Sequence, residues 1–238
     1  MFDWWKKDGA ALKEVAETSP AQVVLPTTRE YAPLNATPAA FTVQASFLSD
    51  AGCWRTTNQD CGRLIEPRDA HQHQSKGHLA LVADGLGGHA GGETASLLAV
   101  ETISRVYYEP PDSAQADPHA ALQEAFLRAN QVIHQRARTD WQLLGMGTTC
   151  TALALCGQRA YCAHVGDSRL YLLRAGEIYL MSEDHSAVMD LVRRGMLQRE
   201  AARHHADRNV LLRALGTRPA VSVSCWQQPF PVRAGDVF

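Results

Sequence analysis

Nowhere in its 238 residues does the sequence hold a run close to the roughly 20 apolar residues that a membrane helix requires. The N-terminus, Met1-Phe2-Asp3-Trp4-Trp5-Lys6-Lys7, lacks the unbroken apolar core of a secretory signal, so a cytoplasmic location is the expectation. No lysine- or arginine-rich run is present and the formal net charge is -2, which excludes the electrostatic footprint of a nucleic-acid-binding protein. None of the six cysteines stands in a Cys-x-x-Cys pair. Three of them fall on strand-like segments, where a thiol packs as a small apolar group, and the set reads as reduced. A phosphate loop ending in Gly-Lys-Ser/Thr is missing. The dinucleotide fingerprint fails as well, because Ala90 stands where its third glycine would be.

What is present is an ordinary globular composition, with 45% hydrophobic and 20% charged residues, in a chain long enough for a substantial core. The organising stretch is His78-Leu79-Ala80-Leu81-Val82-Ala83-Asp84-Gly85-Leu86-Gly87-Gly88-His89-Ala90-Gly91-Gly92-Glu93. An apolar run of strand length ends in an aspartate, opens into a glycine-dense turn and passes into a helical pattern. At the end of a buried strand, the hard oxygens of Asp84 suit Mg²⁺ or Mn²⁺, and Gly85 would let a backbone carbonyl approach the same ion. Taken alone, the residues fit equally well a plain strand-to-helix turn in which Asp84 acts as a local cap.

Residues 8–40 are rich in Ala, Thr, Pro and Glu, with four prolines interrupting any helix, so residues 1–40 read as a mobile leader to a domain over 41–238. Apolar and polar residues alternate over 42–49, which predicts the first strand. His71 and His73 lie in a charged stretch, 66–76, that reads as a solvated hairpin tip rather than a metal site. Helical spacing places Ala95, Leu98, Ala99, Thr102, Ile103 and Val106 on one face. A second helix is capped by Asp117 with Pro118 in its first turn, and it carries Leu122, Ala125, Phe126, Ala129, Ile133 and Ala137. Hairpins are expected over 149–165 and 169–181, a further helix over 187–194 and a strand over 220–226. Turns this short force antiparallel pairing, so the fold class is α+β and not doubly wound.

In order along the chain stand Ser49-Asp50-x-Gly52-x-x-Arg55-x-x-Asn58-Gln59-Asp60, Val82-Ala83-Asp84-Gly85-Leu86-Gly87-Gly88-His89, Gly147-Thr148-Thr149, Val165-Gly166-Asp167-Ser168-Arg169, Asp184-His185-Ser186 and Arg208-Asn209-Val210-Leu211-x-Arg213-Ala214-Leu215-Gly216. This set resembles the metal-dependent protein phosphatases of the PPM type, the protein phosphatase 2C family, in their bacterial form. The resemblance implies a four-layer α/β/β/α sandwich of two antiparallel sheets flanked by helices. It implies a phosphoserine/phosphothreonine protein phosphatase that uses Mn²⁺ or Mg²⁺, two ions plus a weaker third. Asp84 matches the bridging carboxylate, with the Gly85 carbonyl on one ion, and Asp60 matches the first-motif acid. Arg55 matches the arginine that holds the substrate phosphate, and Asp167 the acid of the third metal. Asp167 is also explained as a turn cap that holds Arg169. The partners implied are phosphorylated proteins and a cognate serine/threonine kinase.

Two departures qualify the match. Gln59 stands where animal relatives carry a glutamate ligand. The family's later Ser-Asp-Gly and Asn-Asp motifs are not in this sequence, which ends Arg233-Ala234-Gly235-Asp236-Val237-Phe238 at the start of an expected strand. That ending reads as a fragment of a longer product, inactive or weak by itself. A phosphatase-like binding or sensor module that recognises phosphoprotein without turnover is the alternative reading.

Overall fold

In the computed structural model of the chain, the residues described are 42–53, 57–87, 90–109 and 117–238. The expected leader, Arg55 and His89 lie outside them.

The described chain runs β1 (Asp60–Ile65), α1 (Ala70–Ser75), β2 (His78–Leu86), α2 (Ala90–Tyr108), α3 (Pro118–Thr139), β3 (Gly147–Thr148), β4 (Cys150–Cys156), β5 (Arg159–Val165), β6 (Tyr171–Arg174), β7 (Glu177–Leu180), α4 (Ala187–Arg193), α5 (Arg199–Ala202), β8 (Ser224–Cys225) and β9 (Phe230–Pro231). The larger sheet has the order β1-β2-β4-β5-β8, with β3 added to β2 and β9 to β5. Strands β6 and β7 form a separate ribbon. Every pairing is antiparallel, and for β4–β5 and β6–β7 the short turns require it.

The pattern of β2 explains its central place. Leu79, Leu81 and Ala83 are buried on one face, while Val82 and Asp84 stand on the other. The buried face meets α2 through Ala95, Ala99, Val100 and Ile103, and those residues pack in one cluster with Leu122, Phe126, Ala129 and Ile133 of α3. Each fully buried large side chain here contributes about 1.5–3 kcal/mol relative to exposure. The Asp117 carboxylate accepts from the His119 backbone N–H, and Pro118 follows at the first helical position, so α3 starts where the sequence predicts.

The opposite face of β4 and β5 carries a second core. Leu153, Ala160 and Cys162 meet Leu170, Leu172, Met181 and Phe230 there, which seats the β6–β7 ribbon against the sheet. Helices on one face and a second antiparallel layer on the other make the α+β arrangement expected.

Three local expectations are corrected. Residues 42–50 form no strand despite their alternation, because nothing in the described chain supplies a ladder of backbone partners. Phe47 instead lays its ring on Gly62, at a spot where a Cβ would sit 2.2 Å from the ring. The stretch 66–76 is no hairpin tip. It holds α1, started by the Asp69 carboxylate accepting from the Gln72 N–H. Over 220–226 only Ser224–Cys225 pairs, against β5.

Candidate active site

The register of β1 on β2 puts Asp60 directly opposite Asp84 at the open end of the pair. Directly opposed residues of an antiparallel pair send their side chains to the same face, so the two carboxylates share one side of the sheet mouth. Asp60 is exposed and Asp84 half-buried. Asp60 enters its strand through an Asx turn in which its N–H donates to Asn58 Oδ1 at 3.0 Å.

The backbone of Asp84 is fixed independently of its carboxylate. Its N–H donates to Thr149 Oγ1 at 3.0 Å. Its carbonyl accepts from the Thr149 N–H and from Thr148 Oγ1, both at 2.9 Å. One residue on, the Gly85 N–H donates to the Gln59 carbonyl at 3.1 Å. Gln59 Nε2 then donates to the Gly87 carbonyl at 2.9 Å, so Gln59 ties the entry of β1 to the glycine turn.

Gly85 is required by close approach. A Cβ there would lie 2.1 Å from the Gly92 carbonyl oxygen, and a Cβ on Gly92 would in turn strike Gln59. Two glycines therefore let the start of α2 rest on the end of β2.

The Thr149 hydroxyl carries the arrangement to the next loop, lying 2.9 Å from Ser168 Oγ. Asp167, the neighbour of Ser168, is thereby brought to the same end of the sheet. Its carboxyl is raised above the usual aspartate range, first by burial and then by the charge of Asp184. Arg169 is held by Asp184 rather than by Asp167: the guanidinium reaches Asp184 from Nε at 3.1 Å and from Nη2 at 2.7 Å. Asp184 is 7% exposed, and its hydrogen bonds with Arg169 push the arginine upward. The pair anchors the loop that carries Asp167 to the segment entering α4.

Beneath lies a two-histidine network that sequence reasoning did not find. His164 Nε2 faces the carbonyls of Gly166 and Glu183 at 3.0 and 3.1 Å and therefore carries the proton. Its Nδ1 accepts from Thr151 Oγ1 at 2.8 Å. His185 Nδ1 accepts from the Gly166 N–H at 3.1 Å, and its Nε2 meets Ser224 Oγ at 2.9 Å. Both rings are biased toward the neutral form. Burial lowers His164; burial, followed by His164, Arg213 and Arg193, lowers His185 to about 3.

An unfolded imidazole takes its proton near pH 6.5, whereas the folded rings hold out to lower pH. The stability this contributes is complete above 6.5 and declines as pH falls toward the folded value. The expected result is a thermal midpoint that drops as pH falls from about 6.5 toward about 3, and drops less in His185→Gln. Calorimetric scans across that range check it. Neutral and fully hydrogen-bonded, His185 is also unsuited to serve as a general acid near pH 7.

Among the described residues, no three His, Cys, Asp or Glu side chains gather closely enough to hold a metal ion by themselves. The donor set at the sheet mouth nevertheless fits a hard divalent cation. Mg²⁺ binds through one or two carboxylates and keeps several waters, and Asp60 with Asp84 supplies that number of carboxylates on a solvent-reached face.

The description Protein phosphatase 2C matches residues 56–209. A serine/threonine phosphatase, Stp, of Listeria innocua is 36% identical over 189 residues, which cover 79% of this chain and 73% of that protein. Among solved structures, the serine/threonine phosphatase Stp1 of Staphylococcus aureus superposes with a TM-score of 0.70 at 27% identity, over 80% of this chain and 73% of that one. The catalytic domain of the serine/threonine protein phosphatase PstP, solved with two manganese ions, superposes with a TM-score of 0.61 at 32% identity, over 79% and 72% of the two chains. A match that runs from the entry of β1 through the α4–α5 segment takes in both carboxylate strands and the Asp167 loop. The chain belongs to the protein phosphatase 2C family of metal-dependent serine/threonine protein phosphatases.

Proposed function

We propose that a domain over residues 41–238 hydrolyses phosphoserine and phosphothreonine esters in proteins, with Asp60, Asp84 and the Gly85 carbonyl as ligands of two Mn²⁺ or Mg²⁺ ions and Asp167 as ligand of a weaker third. The observation that carries the reading is the opposition of Asp60 and Asp84 across β1 and β2. Divalent ions in such a site acidify water for attack on phosphorus and neutralise the phosphate charge. The protein's part is to bring the oxygens together and hold them. The Thr148 and Thr149 bonds fix the Asp84 backbone, and the Gln59 bond to Gly87 fixes the turn that follows. Arg55 would grip two phosphate oxygens with its planar fork. Phosphoproteins of the cytoplasm are the substrates in this reading, and a serine/threonine kinase supplies them. No described helix is long and apolar enough to cross a membrane.

The test is phosphate release from a phosphothreonine peptide by the purified chain. The expected result is release that depends on Mn²⁺, stops with EDTA and returns when Mn²⁺ is added back. Binding of the peptide with no release at any Mn²⁺ concentration would replace the enzyme with the sensor-module reading.

A further inference from the structure

Between the Asp167 loop and the α4–α5 segment lies a cavity of about 650 Å³, lined in part by Asp167, Arg169, Asp184, Arg199, Arg203 and Arg208. The segment above it leaves the fold and returns at one point: the Ala187 N–H donates to the Val210 carbonyl and the Leu212 N–H to the His185 carbonyl, at 2.8 Å each. Val188, Met189 and Ala202 give the cavity an apolar share of its wall.

The arginines of this region divide into two groups. Arg193 pairs with Glu183 and Asp190, Arg194 pairs with Asp190 at 2.8 Å, and Arg169 is taken up by Asp184. Arg199, Arg203 and Arg208 line the cavity and form no ion pair among the described residues; Arg203 only donates from Nε to the Glu200 carbonyl at 3.3 Å. With Asp184 taken up by Arg169, the carboxylates left on the cavity wall are Glu200 and Asp167. Three guanidinium groups against two carboxylates leave the cavity with an excess of positive charge and of solvent-facing donors that an incoming carboxylate would match.

The cavity joins the reaction centre at Asp167. A phosphorylated side chain held at Asp60 and Asp84 belongs to a chain that advances about 3.3–3.6 Å per residue, so the residues flanking it extend away from the reaction centre. We infer that the Arg199, Arg203 and Arg208 wall is a specificity subsite for an acidic side chain that flanks the phosphorylated residue of the substrate. This inference rests on the phosphatase reading for where the substrate lies, and its test is a binding measurement, so the two can fail separately.

The probes are three fluorescein-labelled peptides in an alanine-glycine host, each carrying a non-hydrolysable phosphonate analogue of phosphoserine. One has glutamates on the N-terminal side of the analogue, one on the C-terminal side and one has none. Anisotropy titrations in Mn²⁺ are expected to show one glutamate peptide binding about tenfold tighter than the plain peptide. Arg199→Gln, Arg203→Gln and Arg208→Gln combined should remove that preference, and Arg203→Glu alone should weaken it. All three arginines are exposed, so these variants should keep the wild-type thermal midpoint. Their turnover of a small aryl phosphate, which has no flanking residues to reach the arginine wall, should also stay at the wild-type rate. Equal affinities for the three peptides, or a glutamate preference that survives the triple variant, would overturn the inference. A preference that holds while aryl phosphate is never hydrolysed would sink the phosphatase reading and leave the subsite standing.

Discussion

Asp84→Asn is expected to keep the wild-type fold and to lose Mn²⁺-dependent phosphate release by on the order of 100-fold or more, together with its hold on Mn²⁺. Changes to residues that merely support metal ligands cost about 10–100-fold, so loss of a ligand charge stands at or beyond the upper end. The fold should survive because the backbone of Asp84 is secured by Thr148 and Thr149, which bond its main-chain groups and not its carboxylate. Asparagine has the same shape and removes only the charge and one hard oxygen. Parallel rate measurements and thermal scans separate the two effects: a lost rate with an unchanged midpoint is the expected pattern. A midpoint that falls with the rate would mean that Asp84 serves the fold.

Gly85→Ala should do the reverse and damage the fold first. Its Cβ would come within 2.1 Å of the Gly92 carbonyl oxygen and 2.7 Å of the Gln59 carbonyl oxygen. Both obstacles are backbone, so no rotamer change relieves them; either the end of β2 or the start of α2 must move. Overpacking of this kind costs about 3 kcal/mol, which in a domain of this size lowers the midpoint by roughly 6–12 °C. Gly157→Ala is the control. Its φ is +57°, yet nothing lies within 4 Å of an added Cβ, so only the backbone preference is lost, about 1 kcal/mol. A Gly85→Ala midpoint no lower than that of Gly157→Ala would contradict the close packing of strand end on helix start.

Much of this was legible in the residues. The helices announced themselves through Asp117-Pro118 and through apolar spacing that the core then used, and the β4–β5 hairpin through Gly157-Gln158 between two alternating runs. These signals are local, and local signals survive into the fold. The opposition of Asp60 and Asp84 was only half legible. Both were singled out, but the register that sets one against the other follows from the pairing of β1 with β2. Residues 42–50 show the converse case, because alternation without a partner strand makes no strand.

What sequence reading could not reach was the scaffolding. Thr149, Ser168, His164 and Asp184 lie up to 35 positions apart and meet only because β4, β5 and the segment entering α4 converge. The single-residue explanation of Asp167 as the partner of Arg169 failed for the same reason, since Asp184 is nearer through space than through sequence. Likewise the division of the cavity's arginines into paired and unpaired groups depended on the packing of α4 and α5.

The central claim is that the two opposed carboxylates are metal ligands, and a Mn²⁺ titration followed by electron paramagnetic resonance tests it most directly. The signal of free Mn²⁺ falls as the ion binds, so occupancy is read without any substrate. The expected result is saturable binding by the wild-type chain that Asp84→Asn abolishes while its thermal midpoint stays in place. Equal Mn²⁺ binding by the two proteins would contradict it.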